Sequence, residues 1–303
     1  MSTGVEFLGA TVRTATPLLL AATGELLVER SGIIYVGLEG SILAGALAAA
    51  AGALAWGTPA GIAVALLAGA ATAALFALFV VRWKTEQIVT GTAITLLATG
   101  GTAALYHGLF GPEGAGLRIP VLGPVAIPGL AAIPVLGAPL FAQSVFTYAA
   151  VLALGIVWWG MARTHLGLAL RACGERPAAA RAAGVSTGWL RGGAAIAAGA
   201  FAGAAGAALV LVQSGTFAEG MSAGRGFIAI AIVALGRWRP GGVLVAAIAF
   251  GGASALQYLF QARGWTLPYQ AFLALPYLAT LVALATARAR GAAPAALGQA
   301  VTD

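Results

Sequence analysis

Residues 163–191 read RTHLGLALRACGERPAAARAAGVSTGWLR and form the longest polar interruption in a chain that is otherwise almost continuously apolar. The stretch holds five of the sixteen basic residues. Pro177 suits the first turn of a helix, where its missing N–H is not needed, and Gly184 suits a left-handed helix end. Together they predict a short helix over 177–183. Because so short a helix is marginal alone, we expect it to dock on another protein; an ordinary basic loop is the alternative.

The composition predicts an integral membrane protein. Apolar residues make up 60% of the chain and charged residues only 8%, and the mean hydropathy is +0.95; soluble domains of this length do not combine these values. The 44 glycines are typical of closely packed membrane helices. The net charge of +7 comes from arginines scattered over short loops, so membrane topology explains it better than nucleic-acid binding. Cys173 is the only cysteine, which excludes an internal disulfide.

A bilayer core of roughly 30 Å requires about twenty apolar residues per helix, and this length divides the chain into nine segments. The predicted fold is therefore all-α and polytopic, one transmembrane domain over 1–303, with about nine membrane or half-membrane helices and a range of about eight to ten. In the seventh segment, Glu219 and Arg225 occupy the first half, so it is expected to be a half-helix entered by a loop. The segments are 8–28, 33–56, 59–81, 87–110, 143–162, 189–212, 215–236, 241–261 and 268–287.

The basic residues predict the orientation. Twelve of the sixteen lie in alternate connections, which the excess of positive charge assigns to the cytoplasm. The N-terminus is then outside and the C-terminus cytoplasmic. The six prolines of the region 111–142 argue against a spanning helix there, so we expect an external loop that receives a partner; a short re-entrant plug is the alternative. The twelve residues are Arg30, Arg82, Lys84, the five in 163–191, Arg237, Arg239, Arg288 and Arg290.

A first candidate for a solute path lies in residues 31–46, SGIIYVGLEGSILAGA. Glu39 stands in an apolar setting between Gly37 and Gly40, with Ser41 beside it. A carboxylate inside a membrane is costly unless it is paired or faces water, and the glycines permit an unwound helix that exposes polar backbone groups. Alternatively, Glu39 lies near the membrane surface and caps the second helix close to Arg30.

A second candidate lies in residues 213–239, QSGTFAEGMSAGRGFIAIAIVALGRWR. Here glycine-rich backbone is combined with Phe217, Met221, Arg225 and Phe227, which suit a path for a ring-bearing polar solute. Helix packing is the alternative, with Phe227 buried and Arg225 reaching outward. Two uncharged polar residues in predicted spans are either further path residues or hydrogen-bonding links between helices: Gln87 and Gln257.

The sequence lacks motifs of catalysis. It contains no Walker sequence, no HExxH, no GxSxG and no constellation of serine, histidine and aspartate, so we predict that the chain is not an enzyme and binds no metal. An ion-driven carrier usually has acidic or histidine relays within the membrane, and beyond Glu39 and Glu219 we find little to build one. We therefore expect the energy for transport to come from another subunit; a secondary transporter working alone is the second hypothesis.

Five stretches taken together resemble the permease subunit of bacterial nucleoside ABC importers, a group that includes ribose and branched-chain amino acid permeases. The resemblance runs from about residue 14 to residue 288. The first stretch departs from the usual pattern, because Tyr35-Val36-Gly37 stand where Asn-Ile-Gly is usual, and this departure leaves the choice of solute open. The stretches are SGIIYVGLEGSILAGA (31–46), KTEQIVTGTAITLLA (84–98), GLALRACGERPAAARAAGVS (167–186), MSAGRGFIAIAIVALGRWRPGG (221–242) and LPYLATLVALA (275–285).

The resemblance implies a multi-pass protein of the bacterial plasma membrane that works with several partners. These are a second permease, like or unlike, two ATP-hydrolysing subunits that bind ATP and Mg²⁺, an external substrate-binding lipoprotein, and lipid. No cofactor is expected on this chain. The helix over 177–183 would then be the coupling helix, seated in a groove of an ATPase subunit. The residues assigned to it and its approach are Gly174, Glu175, Arg176, Pro177, Ala180, Arg181 and Gly184.

Overall fold

The fold is built almost entirely of helices. A computed structural model describes residues 3–111, 117–262, 278 and 293–299. The helices are α1 (Thr3–Arg30), α2 (Leu38–Trp56), α3 (Thr58–Ala77, continued by a π-turn over Leu78–Arg82), α4 (Gln87–Phe110), α5 (Gly137–Phe141), α6 (Val145–Arg163), α7 (His165–Glu175), α8 (Pro177–Ala182), α9 (Thr187–Ala208, continued by a π-turn over Leu209–Ser214), α10 (Arg225–Leu235) and α11 (Pro240–Ala262).

The prediction of an all-α polytopic membrane protein is confirmed. Six helices of the described residues are long and apolar enough to cross a membrane, and α1 also has the length, with 28 residues. Eight of the nine predicted segments coincide with a helix or part of one. The ninth, 268–287, lies outside the described residues except for Leu278, so the count of nine stays a prediction. The six are α2, α3 with its π-turn, α4, α6, α9 with its π-turn, and α11.

Glycines allow α2, α3 and α9 to pack backbone against backbone in the centre of the fold. A Cβ at Gly203 of α9 would lie 2.1 Å from the carbonyl oxygen of Ala65 in α3, and one at Gly206 would lie 2.2 Å from that of Ile42 in α2. Any side chain at either position would force the helices apart. Small residues of this kind let membrane helices approach closely where no water drives their association. These three helices form what we call the glycine-packed core.

The segment between α10 and α11 joins the end of α1 at one end of the bundle. Arg30 donates from Nε to the carbonyl oxygen of Trp238 at 2.9 Å, and both Arg237 and Trp238 have positive φ, at 54° and 53°. The α7 helix meets the same end, because a Cβ at Gly174 would lie 2.3 Å from the carbonyl oxygen of Arg30. We call this end the basic end.

The described part of the region 111–142 contains no spanning helix. It forms a two-residue strand, β1 (Val125–Ala126), a single 3₁₀ turn, the five-residue α5 and a second strand, β2 (Ala142–Gln143), which pairs with β1 antiparallel. Ile119 N donates to Gly215 O at 2.9 Å, and Leu122 N donates to Leu211 O at 2.8 Å. The region therefore covers the end of α9 that lies opposite the basic end.

The polar stretch 163–191 contains two helices where the sequence analysis predicted one. The unpredicted helix is α7, whose N-cap residue Thr164 accepts a hydrogen bond from Gly167 N at 3.0 Å. The predicted short helix is present as α8, and Gly184 beyond it has a φ of 82°. The described C-terminal segment joins this region, since Ala296 N donates to Gly174 O at 2.8 Å.

Candidate functional site

The carboxylate of Glu39 caps the N-terminus of a different helix, α10. Its Oε1 accepts hydrogen bonds from Ser222 Oγ at 2.5 Å and Gly224 N at 2.7 Å, and its Oε2 accepts one from Gly226 N at 2.6 Å. Glu39 also lies in the first turn of α2. The negative charge is therefore placed at the N-terminal ends of two helices, where their dipoles favour it.

The backbone around α10 is shaped for this contact. Gly224, the N-cap residue, has a φ of 78°, and Ala223 before it has a φ of 47°. A Cβ at Gly226 would lie 2.5 Å from the backbone nitrogen of Glu39, so only glycine lets the two helix ends meet. With 11 residues, α10 is about 16 Å long, which is half of a bilayer core. Its N-terminus is buried, since Gly226 and Glu39 are both buried where they meet, and residues 215–236 form the half-helix entered by a loop that the sequence predicts.

The residues beside Glu39 pack against neighbouring helices. A Cβ at Gly40 would lie 2.9 Å from that of Ala98 in α4. Ser41 Oγ lies 2.6 Å from the hydroxyl of Tyr35, and a Cβ at Gly37 would lie 2.7 Å from the Tyr35 ring. Glu39, Gly37, Gly40 and Ser41 therefore build the junction of α2 with its neighbours.

A cavity of about 610 Å³ lies beside this junction. It is formed by α1, by the end of α9, and by the loop 215–224 that leads into α10. Of the residues proposed from the sequence for a solute path, Met221 and Arg225 line it, whereas Glu39, Phe217 and Gln87 do not. The lining residues are Ala10, Arg13, Thr14, Leu209, Val212, Gln213, Ser214, Thr216, Ala218, Met221 and Arg225.

The cavity wall is rich in hydrogen-bond donors. Arg225 uses Nη1 to donate to the carbonyl oxygens of Met221 and Ser222, at 2.8 and 3.1 Å, so that its remaining N–H groups make no bond within the described chain. Gln213 Nε2 donates to Arg13 O at 3.0 Å, and the Arg13 guanidinium has no carboxylate partner among the described residues. Two guanidinium groups are therefore available for polar groups of a ligand.

The loop 215–224 is fixed by the end of α4. The rings of Phe217 and Tyr106 have centroids 5.1 Å apart, and His107 Nε2 lies 2.8 Å from Glu219 Oε1. Phe217 is fully buried in this contact. A motion of α4 therefore reaches the loop that lines the cavity.

The remaining path residues from the sequence analysis lie elsewhere. Phe227 is 50% exposed on the outer surface of α10, and Gln257 is half-buried on α11. Gln87 is buried at the start of α4, where its side chain accepts from Ile34 N at 2.9 Å and donates to Gln299 O at 2.8 Å. These contacts make Gln87 a link between the segment before α2 and the C-terminal segment.

A second depression lies between α7 and α8, where their side chains form an apolar groove of about 570 Å³. Ala180 is buried at its base, Arg181 is half-buried, and Pro177 occupies the first turn of α8. The half-exposed carboxylate of Glu175 lines the groove, and its Oε1 lies 4.0 Å from Nη1 of the mostly buried Arg30. The lining residues are His165, Leu168, Ala169, Ala172, Glu175, Arg176, Ala179, Ala180, Ala183 and Val185.

The sequence analysis missed two groups of polar residues. The first is Arg13 and Thr14 of α1 in the cavity wall, joined there by Gln213 and Thr216, which lie in the candidate stretch 213–239 but were not singled out. The second is the pair Glu25 and Glu29 on α1, both buried. The expectation that Glu39 and Glu219 are nearly the only acidic residues inside the membrane domain was therefore wrong. The spacing of four residues between Glu25 and Glu29 places both on one helix face, and this spacing was the signal available in the sequence.

Comparison with known proteins agrees with this architecture. Residues 7–286 match the family of branched-chain amino acid transport system permease components. The putative glucose ABC transporter permease protein TsgC13 of Haloferax volcanii is 38% identical over 90% of this chain and 83% of its own. The guanosine ABC transporter permease protein NupQ of Bacillus subtilis is 33% identical over 95% and 94%.

The nucleoside ABC transporter permease protein NupC of Lactococcus lactis is 31% identical over 94% of this chain and 92% of its own. No solved structure matches the chain. The family model covers nearly the whole sequence, so the resemblance to ABC permeases is confirmed. The chain belongs to the family of branched-chain amino acid transport system permease components.

Proposed function

We propose that this chain is the permease of an ABC importer in a bacterial plasma membrane, and that it moves nucleosides or similar small polar solutes. The observation that carries the proposal is the cavity beside α10. Its volume of about 610 Å³ falls within the range of about 300–1,000 Å³ that is usual for small-molecule sites. It places two guanidinium groups beside a half-helix that is entered by a loop, an arrangement that transporters use at solute sites.

Hydroxyl groups are the solute feature that the cavity suits best. Arg13, Arg225 and Gln213 supply donors, while the hydroxyls of Thr14 and Thr216 supply further polar contacts. None of the lining residues described is aromatic. A ribosyl or sugar ring therefore fits the wall better than a stacked base, and both nucleosides and sugars carry such a ring. Both classes occur in the names of the relatives.

The basic end is proposed to face the cytoplasm. Arg30, α7 and the segment after α10 meet there, and such an excess of positive charge favours the cytoplasmic side. The N-terminus and the region 111–142 are then external, the cavity opens toward the outside, and a ninth helix over 268–287 returns the chain to the cytoplasm.

The groove between α7 and α8 supports the proposal that α8 is the coupling helix. It lies at the basic end and is lined mainly by alanine, leucine and valine, which suits docking against another protein. We assign to this surface an ATPase subunit that binds ATP and Mg²⁺. A second permease, which is identical or homologous, and an external lipoprotein that delivers the solute complete the proposed complex.

The test is ATP-driven uptake by the co-purified complex in liposomes, with labelled guanosine and glucose as alternative solutes. Replacing Arg13 by Gln removes a guanidinium that makes no hydrogen bond within the described chain, so folding should be unchanged. A hydrogen bond to a charged group contributes about 1.5–3 kcal/mol, so we expect uptake at low solute concentration to fall about tenfold or more. Arg118→Gln, on the exposed external segment, is the matched control.

Equal uptake by the Arg13→Gln and Arg118→Gln variants would show that the solute does not pass through this cavity. Uptake that persists without ATP and follows an ion gradient would favour the secondary transporter. Saturable glucose uptake with no guanosine uptake would assign the protein to sugars.

A further inference from the structure

Two carboxyl groups lie buried against each other near the basic end of α1. Glu25 and Glu29 are one helical turn apart and are 0% and 2% exposed. Their spacing of one turn places both carboxyl groups on the same face of α1. This pair lies outside the cavity and outside the Glu39 junction, so the proposed solute path does not use it.

Each carboxyl group has a neutral donor for one of its oxygens. Tyr35 N donates to Glu25 Oε1 at 3.0 Å, and Trp238 Nε1 donates to Glu29 Oε2. Glu25 Oε2 is the one buried side-chain oxygen or nitrogen of the described chain that lacks a donor. An unsatisfied buried carboxylate oxygen is costly, so this oxygen requires a hydrogen atom from its surroundings.

Among the residues that the structure describes, no basic side chain donates to that oxygen. Arg30 donates to Trp238 O, and Arg191 donates to the carbonyl oxygens of Ser31 and Cys173. No arginine forms an ion pair with either carboxyl group in the described chain. Further titratable or charged groups at this end of the bundle are the Tyr35 hydroxyl, which binds Ser41, and Arg163, His165, Arg171, Cys173, Glu175, Arg237 and Arg239.

Two adjacent carboxylates in a buried site cannot both be ionised, because their repulsion and the loss of hydration act together. A hydrogen bond between two carboxyl groups requires one proton. We propose that Glu25 and Glu29 form a proton-binding site that holds one proton between them in this conformation.

The proton links two segments that matter for the fold. Glu25 is bound to the segment 31–37, which leads into α2, and Glu29 is bound to Trp238, which follows α10. Separation of these segments admits water to the pair, and the hydrated pair releases its proton. The conformation seen here binds more protons than the opened one, so low pH stabilises it and rising pH weakens it.

Infrared spectroscopy of the purified protein in lipid nanodiscs tests the proton directly. A protonated carboxylic acid has a C=O stretching band that is separate from those of a carboxylate. We expect such a band in the wild-type protein at neutral pH, its loss in the Glu25→Gln/Glu29→Gln double variant, and its retention in Glu6→Gln, which changes an exposed residue of the same helix. A band that is absent, or that survives the double substitution, overturns the proposal.

A second measurement does not depend on the double variant folding. In Glu25→Gln the amide donates permanently to Glu29 and replaces the shared proton. When the pH is raised from about 6 to about 9, a range that spans the pKa values documented for buried glutamates, the thermal midpoint of the wild type and of Glu6→Gln should fall. That of Glu25→Gln should fall by less than half as much. Equal falls in all three proteins overturn the proposal, as does a midpoint that follows sodium concentration at fixed pH, which indicates a cation site instead.

Discussion

Replacing Glu39 by glutamine tests the junction between α2 and α10. The carboxylate accepts two hydrogen bonds at Oε1 and one at Oε2. In the amide, the oxygen can still accept from Ser222 and Gly224, but the NH₂ group then faces the N–H of Gly226. At least one charge-assisted hydrogen bond is lost, and the favourable interaction with two helix N-termini is lost with the charge. The combined cost is about 3 kcal/mol.

Hydrogen–deuterium exchange measures this cost at the donors themselves. The amides of Gly224 and Gly226 are protected by Glu39, and a cost of about 3 kcal/mol corresponds to exchange that is about a hundredfold faster. ATP-driven uptake should fall with it, because the loop that lines the cavity loses its anchor. Glu6→Gln is the control, since it removes the same charge from an exposed residue. Unchanged protection at both glycines in Glu39→Gln would refute the role of the carboxylate as a cap.

Three further outcomes follow from the geometry. Gly226→Ala places a Cβ 2.5 Å from Glu39 N, so thermal unfolding should show a loss of about 1–3 kcal/mol; wild-type stability would contradict the contact. Cys173 is buried, and burial raises the pKa of its thiol, so an impermeant thiol reagent should leave it unlabelled from either side until the protein is denatured. A cysteine introduced by Ala182→Cys, at an exposed position of α8, should be labelled from the cytoplasmic side only. Gly184→Val forces a β-branched residue to a φ of 82°, which costs about 1–2 kcal/mol, and co-purification should show loss of the ATPase subunit; full retention would make α8 a simple loop.

Local sequence patterns predicted the elements that depend on local physics. Pro177 and Gly184 marked the limits of α8 because a first-turn proline and a left-handed glycine act through the backbone of neighbouring residues alone. The charges at Glu219 and Arg225 likewise marked the half-helix, since they shorten the apolar run. The helix α7, which begins at His165 after the N-cap Thr164, was missed because charged and polar residues interrupt its short apolar pattern and no proline marks its start.

Contacts between distant residues could not be predicted in the same way. Glu39 and Gly226 are separated by 187 positions, so nothing near Glu39 indicates that its charge stabilises another helix. The buried state of Glu25 and Glu29 depends on Tyr35 and Trp238 covering them. From the sequence, two acidic residues near Arg30 resemble an ordinary charged helix end at the membrane surface.

The glycine-packed core has a mechanical consequence. Side chains form a compliant layer between helices, because they change rotamer while the backbones slide; where backbones touch directly, as at Gly203 and Ala65, that layer is missing. Helices α2, α3 and α9 must therefore move as one stiff lever. A displacement of Thr187, where α9 begins four residues after Ala183, is therefore transmitted almost fully to the first turn of α2. The loop 215–224 and the end of α4 are less tightly packed, so they accommodate the change in angle between the moving helices and the rest of the bundle.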